Sequence, residues 1–325
     1  MEQRLINRLG RSVSVVGLGT WQLGADWGSV DNASAETTLE AAIDAGVTFF
    51  DTADVYGDGR SEQFNGALRK RHPEILVATK MGRRAEQRVE NYSPENFRAW
   101  SQRSRINLGV NSLDLVQLHC PPEDVYASDG VFAELDRMVE DGLLHAYGVS
   151  VETCSQALRA IEREHVASVQ IILNCFRLKP LEQVLPAAAE AGVGIIARVP
   201  LASGLLSGRF DARTEFAADD HRNYNRHGEA FDVGETFSGV PYEVGLRAVE
   251  ELKRLVGPEM TLAQFALRWV IDQPGVSTVI PGARNPEQVR ANAAAANLPS
   301  LSKDQLRGVA DIYDRLLREH VHDHW

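Results

Sequence analysis

The chain has 325 residues, with 34 Lys and Arg against 45 Asp and Glu, giving a formal net charge of −11 at pH 7. So acidic a surface opposes a nucleic-acid ligand or docking on an anionic membrane, both of which require basic clusters. With 44% hydrophobic and 24% charged residues, 26 Gly and 13 Pro, the composition is that of a globular protein, which excludes disorder, collagen and low complexity. In chain order, VSVVGLG (13–19) reads as a strand, followed by a helix over 33–46 that starts near Ser34 and stops at a glycine. VTFFDTA (47–53) is the next strand, and the helix 61–72 opens on Ser61 as N-cap. EILVATK (74–80) precedes a helix over 93–109 with Pro94 in its first turn, and SLDLVQLH (112–119) precedes a helix over 129–142. LLHAYGVS (143–150), ASVQIILN (167–174) and VGIIARVP (193–200) are strands, with helices over 153–165 and 181–192 between them. Helices over 242–257 and 261–272, the strand VSTVIPG (276–282), and helices over 285–297 and 302–320 complete the order.

These strands are short, apolar runs without polar alternation, as expected where both faces of a parallel sheet are covered. About eight strands in unbroken alternation with helices predict an α/β fold, a (β/α)8 barrel, as one domain over 1–325. The rival open sheet carries G-x-G-x-x-G after its first strand, but here Gly17-Leu18-Gly19 is followed by Gln22 in place of the third glycine. Two additions to a bare barrel are a long polar segment over about 208–240 and an extra helix after the eighth unit. Three widely spaced cysteines, Cys120, Cys154 and Cys175, fit neither a disulfide framework nor a zinc motif and suit a reducing compartment. The first residues have no apolar core of a secretory signal, and no apolar run approaches a membrane span, so a soluble cytoplasmic protein is expected.

In such barrels the reacting groups stand where strands end. The strand ends here read Asp51, Lys80, His119, Ser150, Gln170 with Asn174, then Arg198-Val199-Pro200, and Pro281-Gly282. Tyr56 follows Asp51 by five residues, on the next loop. A carbonyl reduction needs a hydride for carbon and a proton for oxygen. A lysine ammonium beside Tyr56 favours the phenolate and lowers the phenol pKa, and Asp51 supplies the counter-charge a buried Lys80 requires. His119 is placed to donate to a substrate carbonyl, and Tyr56 to act as general acid. Each residue alone has a plainer role: Asp51 and Lys80 a structural ion pair, Tyr56 a packed aromatic, His119 a satisfied polar group. Their joint occurrence at successive strand ends favours catalysis. Trp21 and Trp27 flank the loop after the first strand, on the active face, and suit the walls of a pocket for small carbonyl compounds. Asn285 caps a helix with Pro286 at its first position, which makes a phosphate site, and Arg284 stands beside it for a 2′-phosphate.

The set DTADVYG, ATK, QLH, GVS, VPLASGLLSGRF and IPGARNPEQV, in this order from about residue 4 to 298, resembles the aldo-keto reductases, particularly bacterial members of the stress-protein and inositol-related kind. The resemblance implies an NADPH-dependent reductase of aldehydes and ketones with Asp51, Tyr56, Lys80 and His119 catalytic; NADH is the less favoured donor. It implies that Ser150 and Gln170 hold the nicotinamide carboxamide, with Asn174 nearby. Other cofactor contacts are implied at Gly19, Thr20, Trp21, Asp51, Arg198, Pro200, Leu201, Ser203, Gly204, Leu205, Gly282, Arg284, Gln288 and Asn292. Two departures stand out. Arg198-Val199 occupies the place of the usual aromatic-Ser pair, so a guanidinium would stack on the nicotinamide, and Gly282-Ala283 and Gln288 replace the usual Lys-Ser and Arg. The substrate pocket is expected at Trp21, Trp27, Tyr56 and His119.

Two other functions compete: an NADPH-binding redox sensor or accessory subunit with little turnover, similar to potassium-channel β subunits, and an aldolase forming a Schiff base on Lys80. The expected partner is a small carbonyl substrate, with no nucleic acid, no membrane, no metal, and a monomeric or weakly self-associating state. The ending His320-Val321-His322-Asp323-His324-Trp325 is expected to be solvated rather than metal-binding.

Overall fold

In a computed structural model of the chain, which describes residues 1–24 and 31–325, the first feature is an antiparallel hairpin, β1 (Gln3–Ile6) and β2 (Arg11–Ser14). Eight parallel strands follow: β3 (Leu18–Gly19), β4 (Phe49–Asp51), β5 (Leu76–Met81), β6 (Leu115–His119), β7 (Tyr147–Ser150), β8 (Val166–Ile172), β9 (Gly194–Arg198) and β10 (Val276–Val279). Each pairs with its neighbours in sequence. Parallel bridges from Val16 to Val279 and from Gly19 to Gly282 bring the two edges together, and the result is the expected (β/α)8 barrel.

The sequence run 13–19, expected as one strand, is divided. Its first residues belong to the hairpin and only Leu18–Gly19 joins the barrel. The break falls after Ser14, whose Oγ donates to Val16 O and which exchanges backbone–side-chain bonds with Thr48. The hairpin plugs the amino end. Ile6 and Val13 pack in one apolar cluster with Phe49, Leu76, Ala78, Leu115, Ala167 and Ile196 from the barrel interior. Arg4 ties this plug to the far end of the chain, donating to Ile271 O at 3.0 Å and Val276 O at 2.7 Å.

All ten expected helices are present, with shifted ends. The first is capped by Asp31, which accepts from Ser34 N at 2.8 Å, and not by Ser34 itself. The helix Arg60–Arg71 begins at Gly59, so Ser61 is not its cap; its hydroxyl is spent in a buried network described below. Ser93, Thr153, Thr261, Asn285 and Ser302 are N-caps by side-chain acceptance. The segment 208–240 contains only short helical turns, His221–Tyr224, Val233–Glu235 and Phe237–Gly239. The expected solvated ending is instead docked. Tyr313 OH meets His322 Nδ1 at 2.9 Å and Val321 is buried, because apolar Val321 and Trp325 gain more from burial than the histidines gain from water. No described helix is long and apolar enough to cross a membrane.

Candidate active site

The parallel register sets the floor. Gly19 pairs with Asp51, Lys80 with Gln117, and His119 with Ser150, which in turn pairs with Gln170. Six polar side chains thus gather at one end of the barrel. Lys80 Nζ donates to Asp51 Oδ1 at 2.5 Å, Thr52 O at 2.8 Å and Tyr56 OH at 3.4 Å. Asp51 Oδ2 accepts from Gln170 Nε2 at 2.7 Å and Gln117 Nε2 at 3.3 Å. Both charges are buried, so each depends on the other and on these bonds. Gln117 was not singled out from sequence, although its position two residues before His119 on β6 puts both on the same face.

Tyr56 is held by its loop rather than by a strand. Ser61 Oγ donates to Thr20 O at 2.9 Å, and the Thr20 and Thr52 hydroxyls both lie 2.8 Å from Ser61 Oγ. Thr20 therefore braces the loop from below. Gly57 (φ 58) lies against Gly24 so closely that a Cβ on either would press into the other's backbone. Trp21 then stacks on the Tyr56 ring at 5.8 Å and 17°, and His119 meets that ring edge-on at 5.9 Å.

Burial raises the Tyr56 pKa and outweighs the lowering by Lys80, so the net shift is opposite to the one expected from the lysine alone. Tyr56 is a neutral phenol with a proton to give. Burial also opposes the charge on Lys80, but Asp51 and Tyr56 together raise its pKa above the ordinary value. That disfavours the neutral amine a Schiff base needs. Burial, reinforced by Arg83, Lys80 and Arg198, holds His119 well below its usual pKa, so the imidazole is neutral. Its Nδ1 is buried without a hydrogen-bond partner among the described residues.

Around this floor stand the residues expected to take a cofactor. Ser150 is buried, its Oγ 3.5 Å from Cys120 Sγ. Gln170 spends its amide hydrogens on Asp51 and Gln117, and no described residue engages its Oε1. Asn174 binds Val199 O and Ser238 Oγ, both at 2.8 Å. Val199 has φ 52, an unfavourable conformation for a β-branched residue, at the turn that leads through Pro200 and Leu201 to Ser203 (φ 53) and Gly204 (φ 97). Leu205 is buried behind them. Across the barrel seam, Gly282 pairs with Gly19 and accepts from Asn292 Nδ2 at 3.4 Å. Asn285 Oδ1 caps the helix Pro286–Ala294 at Gln288 N, and Gln288 Oε1 accepts from Arg284 N at 2.8 Å. The Arg284 side chain is exposed and makes no ion pair with a described residue.

The roof comes from the long segment. His221 lies 5.3 Å and Phe231 6.0 Å from the Trp21 ring. Arg198, expected to stack on a nicotinamide, is engaged by Glu235 and donates to Val151 O at 2.9 Å. Burial opposes the Glu235 charge, yet Arg198 and Arg83 hold its carboxyl below the usual range. Arg83 also reaches His119 O at 3.3 Å and Glu152 at 3.4 Å. Neither Glu235 nor Arg83 carries a sequence signal, since neither ends a strand. Asp54 is a further surprise: it is fully buried beside the Tyr56 loop, with neither carboxylate oxygen hydrogen-bonded among the described residues. Burial and then Glu62 push its pKa up to about 7, against Arg84 and Arg103. Trp27 lies outside the described residues. Among the described residues no group of three His, Cys, Asp or Glu could hold a metal ion.

Comparison with known proteins adds the following. The aldo/keto reductase family profile matches residues 15–314. The chain is 29% identical to the aldo-keto reductase YhdN of Bacillus subtilis over 315 residues, covering 94% of this chain and 92% of that one. Among solved structures, the glycerol dehydrogenase of Gluconobacter oxydans superposes with a TM-score of 0.79 at 30% identity, covering 98% and 96% of the two chains. An aldo-keto reductase of Klebsiella pneumoniae in complex with NADPH shares the fold, with a TM-score of 0.71 at 23% identity and 96% of each chain covered.

Proposed function

Because the chain belongs to the aldo/keto reductase family of oxidoreductases, we propose that it reduces aldehydes or ketones to alcohols, with NADPH as donor and Tyr56 as general acid. The observation that carries this reading is the Lys80 ammonium, buried between Asp51 at 2.5 Å and the Tyr56 hydroxyl at 3.4 Å. A structural ion pair has no need of a third, protonated partner facing the mouth of the barrel.

The residues present fit a nicotinamide dinucleotide. Arg284, an exposed cation without an ion-pair partner among the described residues, stands at a capped helix N-terminus and suits a 2′-phosphate, which favours NADPH over NADH. Ser150 and Gln170 would hold the carboxamide, Gln170 through its unengaged Oε1. Gly19, Gly282, Ser203 and Gly204 offer backbone without bulky side chains, and Gln288 and Asn292 lie on the helix that Arg284 precedes. When bound, the cofactor supplies the hydride.

The protein's own residues do the rest. His119, neutral, donates a hydrogen bond to the carbonyl oxygen and turns the carbon toward the donor. Tyr56 passes its proton to the same oxygen as charge develops there. Lys80 stabilises the tyrosinate left behind, and Asp51 keeps Lys80 charged and in place. Trp21, His221 and Phe231 wall the pocket with rings and exclude water. In the reverse direction the tyrosinate is the base.

The test is oxidation of NADPH, followed by its absorbance, with a panel of aldehydes, ketones and dicarbonyls, using Tyr56→Phe in parallel and NADH as second donor. Wild-type turnover, lost by about 100-fold or more in Tyr56→Phe with NADPH binding intact, is expected. Equal turnover in the variant would overturn the assignment of Tyr56. Absence of binding of either nucleotide would overturn the reductase.

A further inference from the structure

We propose that Trp325 is a positioning residue for the nucleotide side of the site: its indole locks the strap Asp232–Gly239, which carries Glu235 to Arg198. The inference rests on the NADPH reading above for its kinetic consequence, but not for its geometry.

Trp325 is 9% exposed although Asp323 and His324 before it are exposed. Its Nε1 donates to Asp232 Oδ1 at 2.9 Å, and the same oxygen accepts from Gly234 N at 2.7 Å, so the indole sets the first turn of the strap. The ring lies against the Arg177 guanidinium, whose carbon is 4.1 Å from the ring centroid. Arg177 is buried and has no carboxylate ion pair among the described residues. Burial, then Arg198, lowers its pKa to about 10, and the indole face offers its charge a compensating partner. Arg177 in turn donates to Ser238 O at 3.3 Å. Gly239, with φ 78, leaves the space the indole fills; any Cβ there would collide with it. One indole thus touches the strap at both ends.

The inner margin of the strap faces the site. Glu235 holds Arg198, while Ser203 Oγ donates to Glu235 O at 2.9 Å and accepts from Phe237 N at 3.1 Å. Arg198 and Ser203 are both residues expected to meet the nucleotide. The floor bonds of Asp51, Lys80 and Tyr56 involve no strap residue. A strap freed from Trp325 therefore changes how the nucleotide is held and leaves proton delivery alone.

The experiment combines steady-state kinetics, NADPH dissociation rates and deuterium exchange on wild type, Trp325→Ala and Trp325→Phe, with Glu235→Gln alone and combined with Trp325→Ala. The expected result in Trp325→Ala is a rise of about tenfold in KM for NADPH and in its dissociation rate, with kcat within about twofold of wild type. Trp325→Phe keeps a ring against Arg177 but loses the donor to Asp232, and is expected between the two. Amides of 232–239 should exchange faster in Trp325→Ala, and the double variant should be no weaker for NADPH than Glu235→Gln alone. Unchanged exchange at 232–239, an unchanged KM, or additive effects in the double variant would each overturn the latch. Failure of wild type to bind NADPH would overturn the function proposed above instead. In that case exchange at 232–239, measured without nucleotide, decides the latch by itself.

Discussion

The floor and the roof of the site are built in opposite ways. The floor is barrel strand: Asp51, Lys80, Gln117 and Gln170 sit in a fixed register, and each polar atom that faces Asp51 or Lys80 comes from a barrel strand or the turn after one. The roof is irregular chain: Glu235, Phe231 and His221 belong to a segment with only short helical turns, fixed by side-chain contacts to Arg198, Ser203, Asn174 and Trp325. In the function proposed above, chemistry that tolerates little displacement falls to the floor, while the roof is free to differ in what it covers.

Four measurements can break or sharpen this contrast. The largest effect is expected from Lys80→Met, which leaves Asp51 charged, buried and unpaired. Denaturant unfolding should show a loss of about 3–5 kcal/mol, and turnover should fall by about 100-fold or more. A variant that kept its stability would mean that the floor does not depend on that pair. Next is the roof pair. Glu235→Gln alone strands the Arg198 charge, whereas Glu235→Leu with Arg198→Met removes both. The double variant should unfold within about 1–2 kcal/mol of wild type yet show a raised KM for NADPH. A collapse of kcat in the double variant would make roof and floor one unit.

A smaller effect is expected at Asp54. Its folded pKa of about 7 lies above the ordinary 3.8, so the folded state binds the extra proton and stability falls as pH rises from about 4 through 7. In Asp54→Asn the melting temperature should decline less between pH 5 and pH 8, by about 2–4 °C relative to wild type. Equal declines in the two proteins would mean that Asp54 is already ionised when buried. The smallest effect is a flat line. With the Tyr56 and Lys80 pKa values raised and that of His119 held well below its usual value, none of the three titrates between pH 6 and 9. Turnover in the reducing direction should vary by less than about twofold across that range. An inflection that survives Asp54→Asn would mean that His119 changes charge.

The floor was legible in the sequence because a parallel barrel writes its site at the ends of apolar runs. Asp51, Lys80, His119, Ser150 and Gln170 are each the polar residue at or near the end of such a run, and the structure brings them together. Gln117 escaped notice only because it lies inside its run. The roof was not legible, because Glu235 and Phe231 sit in polar chain where no period marks an inward face. Trp325 follows three histidines, and its burial depends on a pocket formed by Arg177, Asp232 and Gly239, none of them near it in sequence. Local rules also lost to tertiary ones at Ser61, whose hydroxyl serves Thr20 and Thr52 rather than the helix it seemed to cap. The sign of the Tyr56 shift was missed for a similar reason: the lysine is visible in the sequence, while the depth of burial is not.

The plug at the amino end has a consequence in time. Arg4 completes its bonds only with Ile271 and Val276, some 270 positions later, so the hairpin cannot be fixed in place until nearly all the barrel strands have followed it. Contacts of such span form slowly, since most of the chain must already be ordered to close the loop between them. Until β10 is in place, Ile6 and Val13 have no complete barrel to enter, and the hairpin presents apolar side chains in need of shielding.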